Sequence, residues 1–304
     1  MRLHSLFGRM ARAIGCVTLL AMAGGAQAAE TYKPFVVSTL GGTTVESVTK
    51  SVIGTLKAHG LEVVGQYSPY ADGSAVIVGA TSKELRDVAG SQPYGGFGGV
   101  VRVAVTNNKG AIEVSYVNPV YMGYAYHLGD LTPVADEFAK ALGRKETFGA
   151  EGLTADKLDG YHYMMFMPYF KDRKVIARFD SHEEAVRKVE QALNSSESDM
   201  SPVWEVRISP DQMLFGVQLH RGKWANDRIK KVMDTLDTGT PRSTASLPWE
   251  LLVNGKELIY LPGKYRIAIM FPDLTMGTFM KIAGVPDDMA DSASALADII
   301  HRIK

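Results

Sequence analysis

The densest run of groups able to bind or react is Tyr161-His162-Tyr163-Met164-Met165-Phe166-Met167-Pro168-Tyr169-Phe170. Thioether sulfur and imidazole nitrogen together suit copper(I), and either can ligate haem iron. His162, Met164 and Met167 are therefore the candidate metal ligands, with copper or haem as the candidate cofactor. The competing reading is a buried strand or an interdomain plug, because methionine and aromatic rings fill irregular space. In a strand, His162 and Met164 share one face while Met165 and Met167 share the other, which splits the ligand set.

A second group surrounds Met122-Gly123, where Tyr116, Tyr121, Tyr124 and Tyr126 lie close to His127. An aromatic-lined pocket recruits such residues, and so does tyrosine packing between two halves of a protein. The run Pro93-Tyr94-Gly95-Gly96-Phe97-Gly98-Gly99 is glycine-rich. It precedes a strand rather than following one and has no Lys-Ser/Thr pair, so it is not a phosphate loop. Tyr94 and Phe97 can still cover a ligand. Tyr94, Phe97, Tyr116, Tyr121, Tyr124 and His127 are accordingly the candidate ligand-binding residues.

The remaining histidines have no zinc-binding spacing, and no Gly-x-Ser-x-Gly elbow occurs. Glu183-Glu184 and Asp287-Asp288 sit where helices start, and the helix dipole accounts for them. No catalytic residue is assigned.

The elements that position these residues begin after residue 28. Before it, Arg2, Arg9 and Arg12 precede an apolar stretch from Ala13 to Ala23, which ends in Ala26-Gln27-Ala28. That is the pattern of a secretory signal peptide cleaved after Ala28, and it implies a periplasmic or secreted product. The apolar stretch is shorter than the ~20 residues that span a bilayer. The single cysteine, Cys16, lies within it. A mature chain starting at Ala29 has no thiol for disulfides, thiolate metal sites or cysteine nucleophiles. Its charge is near balance, with three more acids than bases once the signal arginines are removed. A nucleic-acid partner, which needs a basic excess, is not expected, and neither is membrane insertion.

Two stretches share one grammar. In the first, a strand at 35–40 leads to Thr43-Thr44-Val45-Glu46, a capping box, and a helix with Val45, Val48, Val52 and Leu56 on its buried face. Strands at 61–67 and 75–78, a helix at 83–88 and a hairpin at 100–106/111–117 follow. Thr132-Pro133 then opens a helix that Gly143 stops. In the second, Ser181-His182-Glu183-Glu184 caps a helix carrying Ala185, Val189 and Leu193. Strands at 203–208 and 213–219 and a helix at 227–236 follow. A polar loop at 237–246 leads to a hairpin around Asn254-Gly255, expected to adopt a type I′ turn. Tyr265 to Phe271 reads as one more strand and Ala290 to Ile303 as a closing helix. The ends of the two stretches align, with Ile112-x-Val114-x-Tyr116 through Met122-Gly123 matching Ile267-x-Ile269-x-Phe271 through Met276-Gly277.

The strand Val101-Arg102-Val103-Ala104-Val105 and the run Val114-Ser115-Tyr116-Val117-Asn118-Pro119 resemble the bacterial "domain of unknown function 302" family. The resemblance covers roughly residues 35–142. In a longer, exported subgroup it continues through Tyr161-His162-Tyr163-Met164 and Phe271-Pro272-Asp273-Leu274. It implies a compact α+β domain and assigns no functional residue. The Cys-containing Asn-Pro-Lys segment of many short members has no counterpart here.

The expected fold is α+β, with two related halves, each a mainly antiparallel sheet packed with helices, arranged as a pseudo-twofold duplication. The expected boundaries are a signal peptide at 1–28, a first domain at 29–145, a Met/aromatic-rich connector at 146–180 and a second domain at 181–304. The expected role is non-enzymatic binding of a small molecule or metal. The alternatives are an enzyme without a recognisable motif and a protein-partner or assembly factor. A polar pocket holding a strongly perturbed acid would favour the enzyme. A large exposed apolar patch would favour the partner reading, and an enclosed apolar cavity the binder.

Overall fold

A computed structural model describes residues 29–225, 227–282 and 284–303. The expected signal peptide and Cys16 lie outside the described residues. Runs of β-branched and small apolar residues separated by capped helices give two antiparallel sheets with helices on their outer faces. The fold is α+β, as the strand and helix grammar requires.

The first sheet contains β1 (Phe35–Val37), β2 (Glu62–Tyr67), β3 (Ala75–Thr81), β4 (Val101–Asn108), β5 (Ala111–Val117) and β6 (Thr147–Phe148), in the order β2-β3-β4-β5-β1-β6. The second contains β7 (Lys174–Arg178), β8 (Met200–Ser209), β9 (Gln212–Leu219), β10 (Trp249–Asn254) and β11 (Glu257–Tyr260), in the order β8-β9-β10-β11-β7. In each half the first strand is carried past a hairpin pair to lie beside the last strand, so five strands follow the same path twice. The connector at 146–180 contributes a strand to each sheet, β6 to the first and β7 to the second.

Helix α1 (Val45–Ala58), with α4 (Thr132–Leu142) against it, covers the outer face of the first sheet. Helix α6 (His182–Leu193), with α10 (Val285–Arg302) against it, covers the outer face of the second. The inner faces meet, and small residues allow close approach. A Cβ on Gly79 would lie 2.9 Å from the Trp204 ring, and one on Gly216 would lie 2.3 Å from it. The indole of Trp204 thus fills a slot that only glycine leaves open, between strands of both sheets.

Short helices at the ends of the two hairpins complete the seam. Asn118 caps α3 (Pro119–Ala125) by accepting from Val120 N–H, with proline in the first turn. Its counterpart is α8 (Gly263–Met270), entered through Pro262. Tyr121 Oη donates to Ile269 O at 2.7 Å, and Tyr265 Oη donates to Ala125 O at 2.9 Å. Each tyrosine reaches the carbonyl four residues beyond its opposite number, the reciprocity of an isologous interface.

Several expectations differ from this structure. The stretch expected as a strand, Tyr265 to Phe271, is instead helical through Met270, with Phe271 ending the helix. Its residues are buried on every side, so no polar face reveals the 3.6-residue period, and Ile267-x-Ile269 mimics alternation. The proposed alignment of Ile112–Gly123 with Ile267–Gly277 therefore pairs a strand with a helix, and the topological partner of β5 is β11. The cap of α1 is Thr44, which accepts from Ser47 N–H, while Glu46 pairs with Lys50 at 2.6 Å. At the second hairpin Asn254 still pairs with Glu257, and the loop is Gly255-Lys256. Only Gly255 has positive φ, +58°, as at the first position of a type II′ turn rather than in type I′.

Candidate functional site

The loop after helix α7 (Ile229–Leu236) runs from Asp237 through Thr238-Gly239-Thr240-Pro241-Arg242-Ser243 and is clamped across the seam. Arg242 N–H donates to Glu113 Oε2 at 2.8 Å, and Ser115 Oγ donates to Arg242 O at 3.2 Å, both on β5 of the other half. The Arg242 guanidinium donates to the Asp237 carbonyl and reaches Asp234 at 2.8 Å. The loop forms a wall between two clefts. One of about 450 Å³ is bounded by Tyr70, Thr106, Asn107, Asn108, Lys230 and Asp237. The other, of about 490 Å³, is bounded by Phe148, Asp237, Thr240, Phe271, Asp273 and Thr278.

Asp237 belongs to both clefts and is 5% exposed. Burial pushes its carboxyl up to about 7, opposed by the Ser243 N–H that donates to Oδ2 at 2.6 Å. A carboxyl in that range gives or accepts a proton near neutral pH. In the first cleft the Thr106 hydroxyl is buried without a hydrogen-bond partner, near the turn that joins β4 to β5. Two of the cations at the rim are already paired, Lys230 with Asp72 at 3.4 Å and Arg242 with Asp234 at 2.8 Å, while Lys109 also borders the cleft. What the wall presents to a ligand is mainly hydroxyl, amide and the Asp237 carboxyl.

A more open groove of about 700 Å³ crosses the seam elsewhere, beside Gln92, His182, Gln212 and Gly255. There Gln212 accepts from Gly96 N–H at 2.8 Å and donates to Gln92 O at 3.0 Å, so it serves as a strut between halves. His182 contacts Gly255 O at 3.0 Å through Nδ1.

Between the sheets lies a buried ion triad. Arg102 of β4 donates to Glu250 Oε1 of β10 at 2.8 Å, and Arg266 Nε of α8 lies 3.6 Å from Glu250 Oε2. All three residues are at most 4% exposed. Arg102 Nε donates to Ala245 O at 3.0 Å, and Arg266 donates to Ser246 O and Pro248 O at 2.9 and 3.2 Å. Arg102 and Glu250 are the second residues of topologically matching strands, so the pair sits where the halves face each other.

The sequence-derived candidates fall in two places. Tyr116 and Tyr121 are buried, with hydroxyls bonded to Gly143 O and Ile269 O. Phe97 is buried and meets Phe170 edge-on at 6.5 Å. His127 stacks on the same Phe170 at 5.1 Å and lies 3.5 Å from Asp159. Tyr94 is covered by the Arg173 guanidinium at 3.6 Å, and Tyr124 packs against Tyr32 at 5.3 Å. Phe170 is thus the hub that collects Phe97, Tyr126, His127 and Tyr265 into an aromatic seal. The seal is distinct from the two clefts around Asp237. His162, Met164 and Met167 lie on a turn rather than a strand, with His162 stacked on Tyr169 at 4.4 Å.

Sequence reasoning missed Asp237, Thr106 and the triad. The triad left a trace: Arg102, Glu250 and Arg266 are lone charges inside apolar runs, where a charge must be paired. Asp237 left none, because polar loops rich in Asp, Thr and Ser are ordinary.

No family model, curated protein or solved structure matches the chain. The resemblance to the domain of unknown function 302 family rests on the residues quoted for it. No described helix is long and apolar enough to cross a membrane.

Proposed function

We propose that the protein binds a small, neutral, hydrogen-bonding molecule of the polyol or saccharide class in the cleft at the seam of its halves. The observation that carries this reading is Asp237, a buried carboxyl held near neutrality in the wall of a polar cleft. The unpartnered Thr106 hydroxyl supports it, since a buried polar group favours a ligand that satisfies it. The pairing of Lys230 with Asp72 and of Arg242 with Asp234 leaves these two cations less free to hold an anionic ligand. The arginine-led n-region and the Ala26-Gln27-Ala28 site support a periplasmic or secreted location. The quoted strand and Asn-Pro run support membership of the domain of unknown function 302 family.

Asp237 also favours a second reading, acid–base catalysis on the same ligand. Thermal-shift and calorimetric titration against a panel of sugars, polyols and sugar acids tests both. A hit weakened by Thr106→Val and Asp237→Asn supports the cleft. Conversion of that hit by the native protein, lost in Asp237→Asn, would favour the enzyme. A hit indifferent to both substitutions, or no hit in the panel, would sink the seam-cleft reading.

A further inference from the structure

Exposed methionine is unusual, because a thioether gains little from water and forgoes burial. Met164, Met165, Met276 and Met280 are nevertheless 39, 74, 40 and 63% exposed. They lie on two touching segments, the turn at 161–169 and helix α9 (Met276–Lys281). Tyr163 stacks on Phe279 of α9 at 6.0 Å, and its hydroxyl donates to Leu274 O. Phe279 stands between Met276 and Met280 on that helix, so this contact joins the two methionine groups.

Within the turn, Met167 N–H donates to Met164 O at 3.0 Å. That bond folds the segment back so that Met164 and Met167 bracket Met165 and Phe166, and the alternation that would have split the ligands is gone. The His162 stack on Tyr169 engages the face of the imidazole and leaves its edge nitrogens unengaged. The result is a tip with two exposed thioethers, Met164 and Met165, and the exposed His162, the half-buried Met167 packed at its base, and two more thioethers on the adjoining helix. Hard and borderline dications prefer oxygen, imidazole and thiolate. Among the described residues no group of three His, Cys, Asp or Glu is placed to hold one.

From this arrangement we infer that the tip is a soft-metal site for a monovalent cation, copper(I) or silver(I). Met164, Met165, Met167 and His162 supply the ligands, and Met276 and Met280 flank them. A small ion fits an exposed tip, whereas haem needs enclosing walls. The four ligand residues line neither seam cleft, although α9 also carries Thr278 of the second.

Silver(I), added as its nitrate in chloride-free buffer, is the probe, because it needs no reductant. It is titrated into the full chain carrying Cys16→Ser, and into the same chain with Met164→Leu, Met165→Leu and Met167→Leu. Leucine keeps the apolar volume and removes only the sulfur. Losing an outer-shell partner alone costs roughly 10–100-fold in metal affinity, so the triple variant should bind at least about tenfold more weakly. In the parent, ¹³C-methyl NMR of methionine should show Met164, Met165 and Met167 shifting together and saturating at one equivalent. Equal silver affinity in the two proteins, no binding, or methyl shifts confined to other methionines overturns the site. An apolar docking surface would tolerate the leucines, so the same variant separates that role from metal binding.

Discussion

Glu250→Gln tests the physics of the seam most directly. The carboxylate is 4% exposed and serves two guanidinium groups, Arg102 at 2.8 Å and Arg266 at 3.6 Å. Glutamine keeps the shape and one acceptor oxygen but removes the charge. Two buried guanidinium groups then face each other with only carbonyl oxygens to hold them. Burial and the neighbouring Arg102 already push the Arg266 guanidinium below its ordinary range. Removing one partner of a buried pair costs about 3–5 kcal/mol. Because one carboxylate answers two cations here, the upper half of that range is expected. At about 2–3 °C per kcal/mol, the corresponding fall in Tm is roughly 8–15 °C. Urea and thermal melts followed by circular dichroism measure it. The companion variant Arg102→Met/Glu250→Leu/Arg266→Met removes all three charges. It should recover at least half of the loss, since replacing a whole buried ion cluster by apolar residues is often neutral or stabilising. Full recovery is not expected, because Ala245, Ser246 and Pro248 carbonyls lose their donors. A Glu250→Gln loss below about 1 kcal/mol, or a triple variant as weak as the single one, would refute the charge argument.

Asp237 imposes a pH dependence of known sign. Its carboxyl titrates near 7 when folded, against an ordinary value near 3.8, so the folded state holds a proton that the unfolded chain has released in between. Its contribution to stability is fully present below about pH 4 and is lost as pH rises through about 7, by up to roughly 4 kcal/mol at 1.36 kcal/mol per unit. Asp237→Asn should flatten that decline and gain most, relative to the native protein, at pH 8; parallel urea melts at pH 5 and 8 decide it. Trp204→Ala should cost about 3–5 kcal/mol, because Gly79 and Gly216 shaped the slot it leaves and neither can refill it. Tyr121→Phe and Tyr265→Phe should each cost about 1–2 kcal/mol and by similar amounts, since their hydrogen bonds are reciprocal. Phe166→Ser should change stability by less than about 0.5 kcal/mol, the ring being 96% exposed; a larger loss in a melt would mean the tip is packed.

Much of the fold was legible because its signals are local. Thr44, Ser82 and Ser181 cap helices α1, α2 (Lys83–Ser91) and α6 through their own hydroxyls. The β4/β5 turn follows from Lys109-Gly110, with φ of +53° and +97°. Helix α8 was not legible, because burial on all sides erases the period that distinguishes a helix from a strand. Nor was the turn at 161–169, whose composition reads as core throughout although His162, Met164, Met165 and Phe166 face water while Tyr161, Tyr163 and Met167 pack inward. Of the sites, the methionine tip was marked by its residue types, but Met276 and Met280 lie more than a hundred residues away in sequence.

Residue order alone determined the two-part α+β grammar, the caps and turns, and the absence of familiar catalytic spacings, because each depends on neighbours a few residues apart. Only tertiary structure decided where the halves meet, that Arg102, Glu250 and Arg266 share one buried site, and that Asp237 is desolvated between two clefts. Burial and long-range charge pairing depend on which surfaces pack together. Glu250 is 148 residues from the arginine it holds, a separation no local pattern can span.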